Sequence, residues 1–157
     1  MIKILFVCHG NICRSPMAEF ILKNLVEKEG LQEYFEIESA ATSREELGNP
    51  VHPGAKRKLY EHGIHSDGKY ARQMTYADYE YYDYLIGMDE WNIRNMKRIC
   101  DGDPDHKISM LLSYTGKNEE VEDPWWDENF ERAWQQISRG CEALLEYLKG
   151  QIYENTK

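Results

Sequence analysis

Residues 2–7 read IKILFV, almost wholly apolar and rich in β-branched or aromatic side chains, and they run straight into a polar turn, CHGNICR, followed by Ser-Pro. An apolar run of this kind predicts a strand covered on both faces, as in the interior of a parallel sheet. Ser15 is expected as an N-cap and Pro16 as the first residue of a helix whose apolar face is Met17, Phe20, Ile21, Leu22 and Leu25. The chain thus opens as strand, loop, helix.

The same alternation continues downstream. Residues 35–41 predict a second strand, and the turn-rich segment GNPVHPG precedes a helix over 55–62 with Gly63 as its C-cap. Thr75 and Asp78 have the spacing of a capping box, DYLIGM at 83–88 predicts a buried strand, and Asp89 is placed to cap the helix after it. A short strand over 108–112 and a long helix over 128–151 complete the pattern. In that helix Phe130, Trp134, Ile137, Cys141, Leu144, Leu145 and Leu148 recur at intervals of three and four, a stripe that faces a core. The expected fold is α/β, a single-domain open parallel sheet of about four strands with helices on both faces, and the ligand lies outside the carboxyl ends of the strands. Residues 8–15 sit at such an end.

The 157 residues suit one domain, and 41% hydrophobic with 30% charged residues is an ordinary globular balance. The net charge, 19 − 28 = −9, comes without a basic stripe, so no nucleic-acid partner is expected. The opening apolar run is too short for a signal peptide and no stretch approaches the roughly 20 residues that span a bilayer. A cytoplasmic protein with no membrane partner is expected, a monomer or weak dimer. Four cysteines, Cys8, Cys13, Cys100 and Cys141, without a Cys-x-x-Cys pair, point to free thiols and not to a disulfide scaffold or zinc site. The five histidines lack metal-ligand spacing, so neither metal nor cofactor is expected; His9 alone is placed to line a site at the first loop.

The chemistry concentrates in residues 8–15. Five residues separate Cys8 from Arg14, and the loop enters a helix amino terminus, where inward N–H groups and the positive end of the helix dipole suit a phosphate dianion. Arg14 offers a planar fork to two phosphate oxygens. The same donors favour sulfur as an anion, so Cys8 is expected to be a nucleophile. Gly10 permits unusual torsions or close approach, Asn11 tolerates a left-handed conformation and can tie neighbouring backbone groups together, and Ser15 is placed to donate its hydroxyl to the sulfur. An inert packed cysteine is the bland alternative, since C-x5-R alone also arises by chance. The triphosphate loop G-x4-G-K-[ST] is absent.

A thiolate that attacks phosphorus needs an acid to protonate the departing oxygen. Asp123 in EDPWW is the candidate: Pro124 stiffens the loop, and Trp125 and Trp126 could wall a slot for a flat leaving group. Taken alone, Asp-Pro before aromatics is equally an ordinary turn.

With these residues in hand, the chain resembles the low-molecular-weight protein tyrosine phosphatases over nearly its whole length. The likeness runs through VCHGNICRSPMAE, TSREELGNP, HGI, ARQMT, MDEWN and EDPWW, in that order. It implies one such domain over residues 1–157, with Cys8 carrying the phosphoryl group, Arg14 binding it, and Asp123 protonating the leaving oxygen and then activating water. His9, Gly10, Asn11, Ile12, Cys13, Ser15, Trp125 and Trp126 would line or support the substrate site. It also implies a reversible Cys8–Cys13 disulfide under oxidation, against the alternative that Cys13 is a small core residue. Asp89 would orient the loop through Arg14 or a neighbour, against the alternative of a plain helix cap.

Two departures bear on specificity. Where many members have DPYY this chain has DPWW, and where an aromatic often flanks the phosphotyrosine ring it has Glu45, beside Arg44. Ile12 is similar to the tyrosine-specific branch, since relatives acting on phosphoarginine tend to carry threonine. The implied partners are proteins or peptides bearing phosphotyrosine. Two rivals remain: an arsenate reductase on the same fold, which would need a relay of further cysteines, and a phosphate-binding or redox-sensing module without turnover, which would have no use for Asp123. The tyrosines between 76 and 84 are expected to pack against the core.

Overall fold

The first strand, β1 (Ile2–Cys8), stands between two parallel neighbours, and its alternating side chains divide between the two faces of the sheet. Ile4, Phe6 and Cys8 enter one buried cluster, Leu5 and Val7 the other. That two-sided burial is why IKILFV shows no polar alternation. In the computed structural model, which describes residues 1–155 and side chains through Ile152, there follow α1 (Arg14–Lys28), β2 (Phe35–Ala41), α2 (Pro53–Glu61), α3 (Tyr76–Tyr81), β3 (Tyr84–Gly87), α4 (Glu90–Ile99), β4 (Ile108–Met110) and α5 (Phe130–Asn155).

The sheet order is β2-β1-β3-β4, parallel throughout, in a single α/β domain. From β1 the chain crosses to β2 on one side and later to β3 on the other. The reversal leaves a crevice outside the carboxyl ends of β1 and β3, where open α/β sheets take their ligands. Helices α1, α2 and α5 cover the face holding Ile4 and Phe6, while α3 and α4 cover the face holding Leu5 and Val7. The stripe on α5 is buried as its spacing predicts, with Trp134 half-buried at the edge.

Several boundaries differ from expectation, each for a local reason. The first helix starts at Arg14 with Cys13 as N-cap, so Ser15 lies inside the helix and its hydroxyl serves the loop instead of the cap. Helix α2 begins at Pro53, because the His52 ring accepts the Gly54 N–H at Nδ1 and takes the capping role. The helix caps at His62, and Gly63 follows at φ +75° with Ile64 N–H returning to the Leu59 carbonyl, the left-handed ending expected of glycine. Strand β4 stops at Met110, where a 3-10 turn over 111–115 takes over. Helix α5 starts at Phe130 and not at residue 128, since Glu128 is left-handed at φ +56° and the Asn129 side chain accepts the Arg132 N–H. Of the tyrosine group, Tyr79 and Tyr82 are buried and Tyr84 is half-buried, but Tyr76 and Tyr81 are exposed, because a single short helix presents two faces.

Candidate active site

The loop between β1 and α1 closes around the Cys8 sulfur. Asn11 N–H and Ser15 N–H donate to Sγ at 3.3 and 3.4 Å, and Ser15 Oγ lies 3.0 Å away. Asn11 Nδ2 donates to Ser15 Oγ at 2.8 Å, and the Ser15 hydroxyl also lies 3.5 Å from the Ala40 carbonyl, so the oxygen is fixed beside the sulfur. Asn11 sits at φ +59°, the left-handed turn that wraps the loop. Gly10 serves a different need: a Cβ there would stand 3.3 Å from Glu46 Cγ, so glycine admits the neighbouring loop. That loop is stitched on by Thr42 N–H to the Cys8 carbonyl, Ser43 N–H to the His9 carbonyl and His52 N–H to the Ile12 carbonyl.

Arg14 is 2% exposed and held from both sides. Its Nη1 donates to Asp89 Oδ2 at 2.7 Å and to the Val121 carbonyl at 2.9 Å, while Nη2 lies 3.5 Å from Asp123 Oδ2. Burial by itself would lower the guanidinium, but charge on Cys8, Asp89 and Asp123 outweighs it and raises it, so the group stays cationic. Asp89 fills both roles that the sequence leaves open. Its Oδ1 accepts Asn92 N–H at 2.7 Å as cap of α4, and its Oδ2 fixes Arg14. Val121 N–H in turn donates to the Met88 carbonyl, which hangs the acidic segment from the end of β3. Asp123 Oδ1 accepts Trp125 N–H at 3.0 Å, so one carboxylate oxygen shapes the loop and the other faces Arg14.

Behind the loop lies a buried polar chain. Asn11 Nδ2 also donates to Ser39 Oγ at 3.0 Å, and Ser39 donates to Glu19 Oε1 at 2.6 Å. Glu19 is 1% exposed, with Lys23 at 2.6 Å and Lys69 at 3.2 Å supplying the charge that a buried carboxylate requires. Sequence reasoning passed over Ser39, Glu19, Lys69 and the Val121 carbonyl. The Glu19/Lys23 spacing along a helix was a faint signal; nothing local marks the other three.

A cavity of about 300 Å³ opens over the loop, lined by Cys8, Gly10, Ile12, Cys13 and Arg14 of the loop together with His9, Glu45, Glu46, Asp123, Trp125 and Trp126. Asn11 and Ser15 are buried behind it. The two indoles are exposed, Trp126 to 83%, and Trp125 also meets the His52 ring edge-on. Cys13 is a buried thiol pushed well up, first by burial and then by charge on Cys8 and Asp123. Cys100 and Cys141 line no part of the cavity: Cys100 ends α4 on the far face of the sheet, and Cys141 donates to the Ala18 carbonyl within the α1–α5 core. Among the described residues no cluster of three or more histidine, cysteine, aspartate or glutamate side chains could hold a metal ion, and no helix is long and apolar enough to cross a membrane. The arrangement offers a sulfur nucleophile, a fixed cation and a carboxyl group around one cavity, the set that phosphoryl transfer to sulfur requires.

Comparison with known proteins agrees with this arrangement. The family model described as low molecular weight phosphotyrosine protein phosphatase matches residues 3–154. The low molecular weight protein-tyrosine-phosphatase YfkJ of Bacillus subtilis is 42% identical over 147 residues, covering 92% of this chain and 94% of that protein. The low molecular weight phosphotyrosine protein phosphatase of Rattus norvegicus is 41% identical over 149 residues, with the same coverage. The crystal structure of YfkJ superposes with a TM-score of 0.93 at 40% identity over 96% of each chain.

Proposed function

Since the chain belongs to the low molecular weight phosphotyrosine protein phosphatase family, we propose that it hydrolyses phosphotyrosine in proteins, and small aryl phosphates, through a cysteinyl-phosphate intermediate. The observation that carries this reading is the sharing of one cavity by Cys8, Arg14 and Asp123. Cys8 Sγ attacks phosphorus in line with the bond to the phenolic oxygen. As the S–P bond forms and the P–O bond breaks, Asp123 gives its proton to the departing phenolate. Asp123, now ionised, takes a proton from water, which attacks phosphorus, breaks the S–P bond and releases inorganic phosphate. Ser15 supports the departing thiolate through its hydroxyl, and it lies 3.0 Å from that sulfur.

Arg14 and the loop amides supply the stationary charge that the equatorial phosphate oxygens meet in each step. The N–H groups of Gly10, Ile12, Cys13 and Arg14 donate to no protein acceptor among the described residues, which suits an anion receptor. No cofactor enters these steps. A cytoplasmic setting suits a nucleophile that must stay a reduced thiol. Rapid acid quenching during aryl phosphate turnover tests the reading: it should yield protein carrying one phosphoryl group on Cys8, and Cys8→Ser should abolish turnover. A quenched protein that never carries phosphate on that sulfur would overturn it.

A further inference from the structure

The mouth of the cavity carries a chemical preference of its own. Glu45, Glu46, Trp125 and Trp126 all line it. Glu46 is rigidly placed: its stem packs over Gly10, within 3.3 Å of where a Cβ would stand, and Oε2 accepts Asn49 Nδ2 at 2.6 Å. The Asn49 amide is neutral, so the charge on Glu46 is not cancelled by it. Glu45 is more open, its side chain 71% exposed, and its Oε2 lies 2.9 Å from His9 Nε2. Several acids of the segment before α5 have partners of their own, as Glu45 has in His9. Glu122 and Asp127 pair with Arg132, Glu119 pairs with Arg139, and Glu120 accepts the Glu90 N–H. Arg44 neighbours Glu45 in the chain but does not line the cavity.

We propose that the site selects phosphotyrosine peptides whose residues beside the phosphotyrosine are lysine or arginine. The inference rests on the phosphatase reading and deepens it. A phosphate dianion descending to Arg14 passes two carboxylates, which repel it and any acidic flank that comes with it. A basic flank reverses that sign, meeting Glu45 and Glu46. Trp126, which also lines the cavity and is 83% exposed, offers an indole face over which a lysine or arginine can rest. The deep charge of the site then grips the phosphate, while the shallow charge sorts the peptide around it. Since the rim groups are solvated, the effect must weaken as salt screens them.

The test compares two phosphotyrosine peptides of equal length, one flanked by lysines and one by glutamates, with phenyl phosphate as a substrate that has no flanks. For the wild-type chain kcat/KM should favour the basic peptide by about tenfold at low salt, the sum of a few exposed charge and cation–π contacts. Added salt should shrink that ratio. Glu46→Gln and Glu45→Gln should each lower it, and Glu45→Lys should carry it toward the acidic peptide, each ratio being taken within one variant. Phenyl phosphate turnover with equal rates on the two peptides would overturn the preference and leave the phosphatase reading standing. So would a preference that neither salt nor any of the three substitutions changes. Failure of the wild-type chain to hydrolyse phenyl phosphate or either peptide would overturn both.

Discussion

Arg14 meets carboxylates on two sides, and they hold it differently. Asp89 accepts a short hydrogen bond at 2.7 Å and is tied to helix α4, whereas Asp123 stands off at 3.5 Å on a loop that Trp125 N–H shapes. The first contact positions the guanidinium; the second is longer and leaves Asp123 less tightly held, which suits the acid role proposed for it. Asp89→Asn retains a side chain able to cap α4 but removes the charge that fixes Arg14. It should lower kcat by about 10–100-fold through loss of orientation, with a smaller change in inhibition by inorganic phosphate. Steady-state kinetics with phosphate as inhibitor separate the two effects. Asp123→Ala should slow phenyl phosphate, with its poor leaving group, by about 10²–10⁴-fold, and slow a nitrophenyl phosphate far less. Equal slowing of both would remove Asp123 from the role of acid. Asp123 was legible as a candidate from residue type and Asp89 as a helix cap; the hold of Asp89 on Arg14 was not, nor was the place of Glu19, whose partners Lys69 and Ser39 reach it only in the fold.

At the scale of elements, helix α5 shows how one residue type acquires opposite meanings. Gly140 lies where a Cβ would fall 2.6 Å from Leu111 Cγ, so the helix lies tight against the 3-10 turn over 111–115 that follows β4. Gly150 is exposed on the same helix, with nothing within 4 Å of its Cβ position. Gly140→Ala should therefore destabilise the fold by about 1–3 kcal/mol through overpacking. Gly150→Ala should stabilise it by about 0.8–1.0 kcal/mol, the ordinary helix preference for alanine. Urea unfolding of the two variants checks both signs in one experiment. The helix itself was readable from its apolar stripe, but the difference between its glycines was not, since helical periodicity carries no information about what stands opposite. Ser15 was readable in part: Cys13 takes the cap expected of it, but its hydroxyl stands 3.0 Å from the Cys8 sulfur, where the sequence placed it.

Across the whole molecule, tertiary burial sets how the fold answers to pH. Tyr79, Tyr82 and Tyr84 come from one short stretch that runs from α3 into β3, and burial pushes each of their phenols up to about 12. A folded value above the ordinary one near 10 means that these groups support the fold fully below that pH. Their contribution is lost as pH rises from about 10 through about 12, where the unfolded chain ionises first. Titration of phenolate absorbance should show these tyrosines ionising late, and thermal stability should fall over the same window; ionisation near 10 with no loss of stability would contradict the burial. The sequence by itself determined the alternation of strands and helices and marked Cys8, Arg14 and Asp123 as candidates for a site at the end of the first strand, because periodicity, turn chemistry and residue type act over a few neighbouring positions. Only the tertiary structure decided the strand order, the grip of Asp89 and Val121 on Arg14, the buried chain from Asn11 to Glu19, and the gathering of Glu46 and Trp126 at one cavity. Those depend on which distant segments the packing of the sheet brings together, and no local pattern in the chain encodes that proximity.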